Sequence, residues 1–387
     1  MIKVDIILDF TNFFLIFASE LMILMRTTHR LFFNPAQDMS AIADASVNEI
    51  ITSPPYPMIE MWDGILASQN ATFGEALHNG SVDVAFEAAH QELDKVWKEC
   101  YRVLSPGGFL CINIGDATRT IKGEFRLFNN HSRIVKACLE LGYNNLPNII
   151  WRKQTNAPNK FMGSGMLPCG AYVTLEHEYI LIFRKGSKRE YKKEELKLAR
   201  KNSAFFWEER NVWFSDVWDL KGTKQKITNT ETRDRSAAYP FEVPYRLINM
   251  YSQYGDTVLD PFFGLGTTML AAMASGRNSI GFEIDDKLKS SIEDNLKSFS
   301  ITDFNNVIKN RFDKHAEFVK ARFSEKGPLK HSNNNLGSDV MTSQEEELEF
   351  HYLTQIEGPR KKDTLAIVTY EDTSDINNPP KPEGVLF

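Results

Sequence analysis

The chain has 387 residues, of which 42% are hydrophobic and 25% are charged, and its formal net charge is −6. This composition excludes a wholly disordered chain and leaves room for one large α/β domain with additions. The four cysteines, Cys100, Cys111, Cys138 and Cys169, show neither CxxC spacing nor histidine partners at metal-ligand intervals. We therefore expect no metal site and no disulfide framework, as is typical of a protein in the reducing cytoplasm.

Charge is distributed unevenly along the chain. Residues 327–387 contain five basic and eleven acidic residues, so this segment alone carries a charge of −6. Residues 184–235 contain fifteen basic and nine acidic residues and carry +6. The acidic C-terminal segment therefore conceals a basic middle, whose cations can neutralise phosphates.

The first 24 residues are apolar enough to suggest a membrane span or a signal peptide. Asp5, Asp9 and Glu20 interrupt the apolar run, and no basic stretch precedes it. Each carboxylate would cost about 2.5 to 3.5 kcal/mol inside a bilayer. We therefore expect no membrane anchor, but either an added amphipathic helix or a native start at Met25 with upstream residues that come from gene calling.

Strand and helix patterns alternate through the first half of the chain. In order they are a strand and turn (HRLFFNPAQDM, 29–39), a strand (SVNEIITSPPY, 46–56), a helix (81–103), a strand (109–117), a helix (131–143), a strand (144–153) and an apolar run (177–186). Ser105-Pro106-Gly107-Gly108 is expected to end the first of these helices. This alternation predicts an α/β fold with a doubly wound, mostly parallel sheet.

Residues 187–235 break this rhythm, and the alternation resumes after them. A helix (241–253), a strand, glycine turn and helix (256–276) and a strand (278–285) follow. Beyond about residue 300 the pattern is helical and polar. The segments LEFHYLTQI (348–356) and TLAIVTY (364–370) are expected either to pair as strands in a small appendix or to stay loose.

The stretch VLDPFFGLGTT (258–268) is an apolar strand that ends in Asp260 and leads through Gly264 and Gly266 into a helix. Glycines allow a ligand to approach the backbone, and a helix N-terminus offers free N–H groups. Glu283 ends the next apolar strand, where a carboxylate can accept hydrogen bonds from two ribose hydroxyls. Together these features predict a nucleoside-containing cofactor.

A nicotinamide dinucleotide is one candidate for this cofactor. The third glycine of its Gly-x-Gly-x-x-Gly signature falls on Met269, however, and Asp260 would place a negative charge near a pyrophosphate. S-adenosylmethionine has a sulfonium, an amino group and no phosphate, so the same charge favours it. The residues therefore favour S-adenosylmethionine over NAD.

The stretch EIITSPPYPMIEMWD (49–63) is an apolar strand that runs into Ser-Pro-Pro-Tyr. Two consecutive prolines prevent the chain from continuing as a helix or an inner strand. Considered alone, the motif could be a surface turn or a proline-rich ligand segment. Trp62 and Asp63 follow it, and the tryptophan could pack in the core as easily as line a pocket.

TSPPY (52–56) together with DPFFGLGTT (260–268) resembles the amino-methyltransferases of DNA. The catalytic motif precedes the cofactor motif, as in the circularly permuted β group of that family, where the target-recognition region lies between them. The resemblance implies a Rossmann-like S-adenosylmethionine-dependent methyltransferase fold. The implied organisation is an extension (1–24), a catalytic half (25–186), a target-recognition region (187–235), a cofactor-binding half (236–300) and an acidic C-terminal extension (301–387).

The resemblance also implies roles for individual residues. The catalytic set is Ser53, Pro54, Pro55 and Tyr56, and the cofactor-binding set is Asp260, Phe262, Gly264, Gly266, Thr267, Thr268 and Glu283. The exocyclic amine of a base is a poor nucleophile, so acceptors such as the Ser53 hydroxyl and the Pro54 carbonyl would hold it in line for attack. The prolines would make the loop rigid, and Tyr56 would stack on a base extruded from double-stranded DNA.

Serine at the first motif position generally marks cytosine-N4 methylation in this family, whereas aspartate or asparagine marks adenine-N6. We therefore expect a cytosine-N4 methyltransferase, paired with a restriction endonuclease, and keep adenine-N6 methylation as the alternative. A DNA-binding protein that lost catalysis and an RNA methyltransferase are further alternatives. The stretch TSPPYPMIEMWD is similar to enzymes that act on CTAG.

One departure from the family concerns the adenine ring of the cofactor. Relatives often have Gly-Asp-Ala after the first strand, where this chain has Asn34-Pro35-Ala36. The acidic residue expected near the adenine is therefore missing, and Asp38 is the candidate substitute. In residues 184–235, aromatic side chains interleave with lysines and arginines, which predicts DNA contact through that segment as a whole.

Overall fold

The structure is a computed structural model that describes residues 25–153, 162–163, 165–222, 239–358, 363–372 and 384–386. The extension 1–24 and residues 223–235 of the predicted recognition region lie outside the described residues. The described helices are α1 (Asp63–Gln69), α2 (Ala71–Asn79), α3 (Val82–Val103), α4 (Asn130–Glu140), α5 (Glu194–Asn202), α6 (Trp207–Trp213), α7 (Glu242–Tyr251), α8 (Thr267–Ala274), α9 (Lys289–Lys297) and α10 (Ile301–Lys326).

The strands of the first half are β1 (Met25–Phe32), β2 (Val47–Thr52), β3 (Leu104–Ile114), β4 (Ala117–Ile121), β5 (Glu124–Phe128), β6 (Tyr143–Arg152), β7 (Met162–Gly163), β8 (Ala171–Tyr172) and β9 (His177–Lys185). Those of the second half are β10 (Val217–Asp219), β11 (Thr257–Asp260), β12 (Asn278–Phe282), β13 (His331–Ser332), β14 (Asp339–Val340), β15 (His351–Glu357), β16 (Thr364–Asp372) and β17 (Gly384–Leu386).

An 11-stranded sheet forms the centre of the described structure, in the order β10-β6-β9-β3-β2-β11-β12-β1-β16-β15-β17. The five strands β3, β2, β11, β12 and β1 are parallel to one another. Strands β9 and β16 flank them in antiparallel orientation. The prediction of a doubly wound, mostly parallel sheet is therefore confirmed.

The helix over 82–103 matches its prediction, but the strand after it begins earlier than expected. Ser105-Pro106-Gly107-Gly108 belongs to β3 rather than to a loop, and Leu104 already pairs with Val47 of β2. A Cβ atom on Gly108 would lie 2.7 Å from the carbonyl oxygen of Asn48. Because glycine has no side chain, the two strands can run side by side. The same glycines suggested, from the sequence, that the strand begins only at Phe109.

The C-terminal extension joins the main sheet. Strands β15 and β16 pair with each other as expected, but β16 also pairs with β1 from Met25 to Arg30. The prediction of a separate small appendix or a loose segment is therefore wrong. Without β16, the row of backbone hydrogen-bonding groups along β1 would be an unpaired sheet edge.

The predicted recognition region begins far from the end of the catalytic strand. Just before this region, the Lys185 ammonium donates to the carbonyl oxygens of Tyr101, in the last turn of α3, and of Leu104, at the start of β3 (2.6 and 2.7 Å). The Arg189 guanidinium pairs with Asp256 just before β11 (2.7 Å). Both contacts lie at the amino ends of the parallel strands, whereas Ser53 follows a carboxyl end. A strand of five or six residues separates these edges by about 17–20 Å.

The aromatic residues of that region lie partly in the core. Phe206, Trp213 and Trp218 are buried, whereas Trp207 and Phe214 are about 40% exposed. Phe206 stacks on His315 of α10 with ring centroids 3.7 Å apart. The interleaved aromatic pattern therefore serves the docking of α6 against α10 as well as any DNA contact. Among the described residues, no helix is both long and apolar enough to cross a membrane.

Candidate active site

One carboxylate connects the two sequence motifs at the carboxyl edge of the sheet. Asp260 ends β11, and its Oδ1 accepts a hydrogen bond from the Thr52 hydroxyl at the end of β2 (2.7 Å). The same oxygen accepts the backbone N–H of Phe262 in the glycine turn (3.1 Å). Because Ser53 directly follows Thr52, this junction places the Ser-Pro-Pro-Tyr loop beside the glycine turn.

The other oxygen of Asp260 is also bonded to protein groups. Its Oδ2 accepts the Thr268 hydroxyl (2.5 Å) and lies 3.4 Å from the hydroxyl of Tyr239. Burial raises the pKa of Asp260 to about 6, although these donors favour its charged form. Asp260 and Thr268, both predicted to bind the cofactor, thus bond to each other and are buried. They shape the turn, and a direct contact with the cofactor stays a prediction.

The glycine turn adopts backbone conformations that favour glycine. Gly264 has φ +54° and Gly266 has φ +82°, in the left-handed region that other residues rarely occupy. A Cβ atom on Gly264 would meet nothing within 4 Å, so open space adjoins this position. Thr267 begins α8 directly after the turn and is partly exposed. The partly exposed Phe262 packs edge-on against Trp97, with ring centroids 6.2 Å apart.

Glu283 lies against the glycine turn, immediately after β12. Its Oε2 accepts the backbone N–H of Gly264 (2.9 Å), and its Oε1 accepts the N–H of Asp285 (2.9 Å). Burial raises its pKa above the ordinary value. Each carboxylate oxygen has capacity for a further donor. The spacing in the sequence predicted that the glycine turn and Glu283 belong to one site, and in the structure they are in direct contact.

The Ser-Pro-Pro-Tyr loop leads into a polar cluster. The hydroxyl of Tyr56 donates to Glu178 Oε2 (2.9 Å) and accepts from the Asn113 amide (2.8 Å). The Ser53 hydroxyl lies 3.1 Å from the Tyr56 hydroxyl. Lys153 forms an ion pair with the other oxygen of Glu178. Burial, followed by the nearby charge of Glu178, raises the pKa of Tyr56 well above its usual range.

A buried asparagine holds the end of the loop. The Asn130 amide donates to the carbonyl oxygens of Pro57 (3.1 Å) and Gly115 (3.0 Å). Its Oδ1 lies 3.0 Å from Nε2 of the buried His90. Pro54 is buried and Pro55 half-buried, so the prolines are held by packing as well as by their rings. The loop is therefore fixed before any substrate binds.

Trp62 and Asp63 contact other protein side chains. Trp62 packs against a small apolar cluster that includes Met58 and Leu66. Asp63 forms a two-pronged ion pair with Arg119 of β4 (2.9 and 2.6 Å). Asp38, the candidate adenine contact, is exposed and accepts the backbone N–H of Ser40 (2.9 Å). That carboxylate stabilises its own turn, and a contact with adenine stays a prediction.

Four residues that bond directly to Asp260 or Tyr56 were not identified from the sequence. Thr52 and Tyr239 hold Asp260, while Asn113 and Glu178 hold Tyr56. Glu178 carried a weak signal, since a carboxylate near the start of the apolar run HEYILIF is unusual for a buried strand. The others are common polar residues at strand ends and loops, and no spacing rule relates them to the motifs.

Comparison with known proteins agrees with this geometry. The DNA methylase family model matches residues 47–294. The Type II methyltransferase M.MthZI of Methanothermobacter thermautotrophicus is 49% identical over 330 residues, which cover 85% of this chain and 91% of the relative. The Type II methyltransferase M.MjaI of Methanocaldococcus jannaschii is 49% identical over 282 residues, which cover 70% of this chain and 91% of that protein.

A solved structure supports the same assignment. The putative DNA modification methylase TTHA0409 of Thermus thermophilus, in complex with S-adenosyl-L-methionine, superposes with a TM-score of 0.53 at 32% identity, covering 69% of this chain and 93% of that one. The fold is therefore the Rossmann-like fold of S-adenosylmethionine-dependent methyltransferases, and S-adenosylmethionine is the cofactor. The chain belongs to the DNA methylase family.

Proposed function

We propose that this protein is a Type II DNA methyltransferase that methylates the N4 amine of cytosine in double-stranded DNA, and that it acts beside a cognate restriction endonuclease. The observation that carries the proposal is the Thr52–Asp260–Phe262 junction, which places the Ser-Pro-Pro-Tyr loop next to the glycine turn. The two Type II relatives, similar over most of their length, support the class.

The residues at the glycine turn fit S-adenosylmethionine. The open space beside Gly264 allows a ligand to approach the backbone, and Glu283 retains one acceptor site on each oxygen for ribose hydroxyls. Asp260 adds negative charge close by, which suits a cationic ligand. When bound, this cofactor supplies an electrophilic methyl group.

The Ser-Pro-Pro-Tyr loop then positions the amine of the target base. The Ser53 hydroxyl and the Pro54 carbonyl would accept the N–H groups of the amine and direct its lone pair toward the methyl group. The ring of Tyr56 would stack on the extruded base. Since the loop is held by Asn130 and by the polar cluster at Glu178, its geometry costs little reorganisation when DNA binds.

Serine at position 53 supports cytosine over adenine, because Ser-Pro-Pro-Tyr generally marks cytosine-N4 methylation in the family. Adenine-N6 methylation uses the same scaffold and is the alternative. The similarity of TSPPYPMIEMWD to enzymes that act on CTAG makes a CTAG-containing duplex the first substrate to test.

Target recognition, in this proposal, belongs to the later part of residues 187–235. Strand β10 runs parallel to β6, and its last residue Asp219 pairs with Arg152 at the carboxyl edge. Residues 187–203 follow the amino edge instead, where Arg189 and Ser203 contact the segment before β11. Lys221, which follows β10 at this edge, would therefore approach DNA bound at the catalytic loop.

The test is transfer of a tritiated methyl group into a CTAG duplex, followed by nucleoside analysis. We expect the label in N4-methylcytosine. Label in N6-methyladenine would support the alternative, and label only in RNA would contradict both. A duplex without CTAG serves as the control for sequence specificity. The absence of transfer to any DNA would favour a protein that binds DNA without catalysis.

A further inference from the structure

We propose that Glu178 is a positioning residue that takes up, through Tyr56 and Ser53, the proton that the target amine loses during methylation. The inference rests on the proposed function, because it assigns Ser53 to the amine. Four side chains carry it, which are Ser53 and Tyr56 after β2, Asn113 near the end of β3 and Glu178 near the start of β9.

The hydrogen bonds around Tyr56 determine the direction of the relay. Tyr56 has one hydroxyl proton, which it donates to Glu178 Oε2 (2.9 Å). The Asn113 amide donates to the Tyr56 oxygen (2.8 Å) and to Glu178 Oε2 (2.7 Å). The contact of 3.1 Å between Ser53 and Tyr56 is then satisfied only if Ser53 is the donor. The Asn113 amide also donates to the Ser53 oxygen (3.5 Å), so one lone pair of that oxygen remains for the N–H of the amine.

The orientation of Asn113 supports Glu178 as an acceptor of hydrogen bonds. Asn113 is only 4% exposed, and among the described residues its Oδ1 has no hydrogen-bond partner. The reversed amide would satisfy that oxygen no better and would place it against the Glu178 carboxylate. Glu178 therefore collects three donors, from Tyr56, Asn113 and Lys153. A carboxylate held in this way is a fixed acceptor connected to Ser53.

The proton balance of the step is complete. The amine nitrogen gains a methyl group and loses one proton to the Ser53 oxygen, as the Ser53 proton passes to Tyr56 and the Tyr56 proton passes to Glu178. The two hydroxyl groups end unchanged, and Glu178 ends as a neutral acid. Its ion-pair partner Lys153 has a side chain 39% exposed, which gives the carboxyl group a path to return the proton to water.

The decisive variants are Tyr56→Phe and Glu178→Gln, both nearly isosteric. Tyr56→Phe keeps the ring for stacking and removes the hydroxyl that carries the relay, so kcat should fall at least about tenfold. The dissociation constant for S-adenosylmethionine, from calorimetry, and the 2-aminopurine fluorescence that reports base extrusion should stay near wild type. Glu178→Gln should lower kcat similarly, and the double variant should be no slower than the slower single variant, because both changes break one chain.

Tyr179→Phe is the matched control, since it removes a hydroxyl from the residue next to Glu178 without touching the relay. It should retain wild-type kcat. A Tyr56→Phe variant with wild-type kcat, or a double variant whose losses multiply, would overturn the relay while leaving the proposed methyltransferase intact. A wild-type protein that transfers no methyl group to duplex DNA would instead overturn the proposed function and the relay with it.

Discussion

The two edges of the central sheet both bury charged side chains, but they use them differently. At the amino edge, the Arg277 guanidinium donates to Ser252 and Ser275, and Arg311 forms a two-pronged ion pair with Glu209 (2.6 and 2.7 Å). These donors are directed at protein acceptors. At the carboxyl edge, Glu283 keeps one acceptor site on each oxygen, and the Ser53 oxygen keeps one beside the bond from the Asn113 amide.

The difference has a physical consequence for each edge. A buried ion pair whose partners satisfy each other stabilises the fold only as a pair, and removing one partner leaves an uncompensated charge. An acceptor with unused capacity instead stabilises whatever donor arrives. Changes at the amino edge should therefore affect stability, and changes at the carboxyl edge should affect ligand binding and turnover.

The largest expected effect is that of Arg311→Ala. It leaves Glu209, whose side chain is 11% exposed, without its cationic partner and should lower the free energy of unfolding by about 3 to 5 kcal/mol. Urea unfolding measures this loss, while S-adenosylmethionine affinity of the folded protein should not change. The control is Lys309→Ala on the same helix, whose exposed pair with Asp313 should contribute below about 1 kcal/mol. An Arg311→Ala loss no larger than this control would contradict the comparison.

Asp260→Asn tests the buried carboxylate of the carboxyl edge. Burial raises the pKa of Asp260 to about 6, against about 3.9 in an unfolded chain. The folded protein therefore binds the carboxyl proton of Asp260 more tightly than the unfolded chain does. Protonated Asp260 makes its full contribution to the free energy of unfolding below about pH 4, and this contribution is lost as pH rises through about 6. This shift in pKa corresponds to a loss of about 3 kcal/mol in the free energy of unfolding between these two pH values.

Asp260→Asn should lack this part of the pH dependence, which urea unfolding between about pH 4 and pH 7 would measure. Burial also raises the pKa values of Glu49 and Glu283, but both groups remain in the variant and cancel in the difference. Parallel stability curves for the two proteins would show that Asp260 titrates normally.

Glu283→Ala should weaken S-adenosylmethionine binding without a comparable loss of stability. A hydrogen bond to a charged acceptor contributes roughly 1.5 to 3 kcal/mol, which corresponds to about a tenfold to hundredfold increase in Kd. Isothermal titration calorimetry measures the change. Asp294→Ala, which removes an exposed carboxylate from α9, is the control and should bind normally. An unchanged Kd for Glu283→Ala would remove this residue from the cofactor site.

Tyr56→Ala should have an effect of about 1 to 3 kcal/mol on DNA turnover, because it removes the stacking surface. Cofactor affinity should stay largely intact, and the 2-aminopurine signal should fall, in contrast to Tyr56→Phe. Steady-state kinetics with a CTAG duplex provides the measurement. If turnover stays at the wild-type level, the ring serves only packing.

The sequence by itself determined the motifs, their order and most strands. TSPPY and DPFFGLGTT are local patterns whose meaning depends on a few neighbouring residues, and the spacing from Gly264 to Glu283 is that of a turn, a helix and the next strand. Continuous apolar runs predicted β2, β11 and β12, because strands inside a parallel sheet are buried on both faces. Helical apolar periodicity predicted α3, because this helix buries one face.

Only the tertiary structure decided which distant residues meet. Glu178 lies 122 residues from Tyr56 in the chain and Asp260 lies 208 from Thr52, yet each pair forms a hydrogen bond. Strand order sets such contacts, and no local pattern encodes them. The prediction of an appendix at residues 348–370 was wrong for the same reason. Strand β16 pairs with β1, which lies at the opposite end of the described chain. Sheet direction likewise places described residues of the predicted recognition region at both edges, with Arg189 at the amino edge and Asp219 at the carboxyl edge.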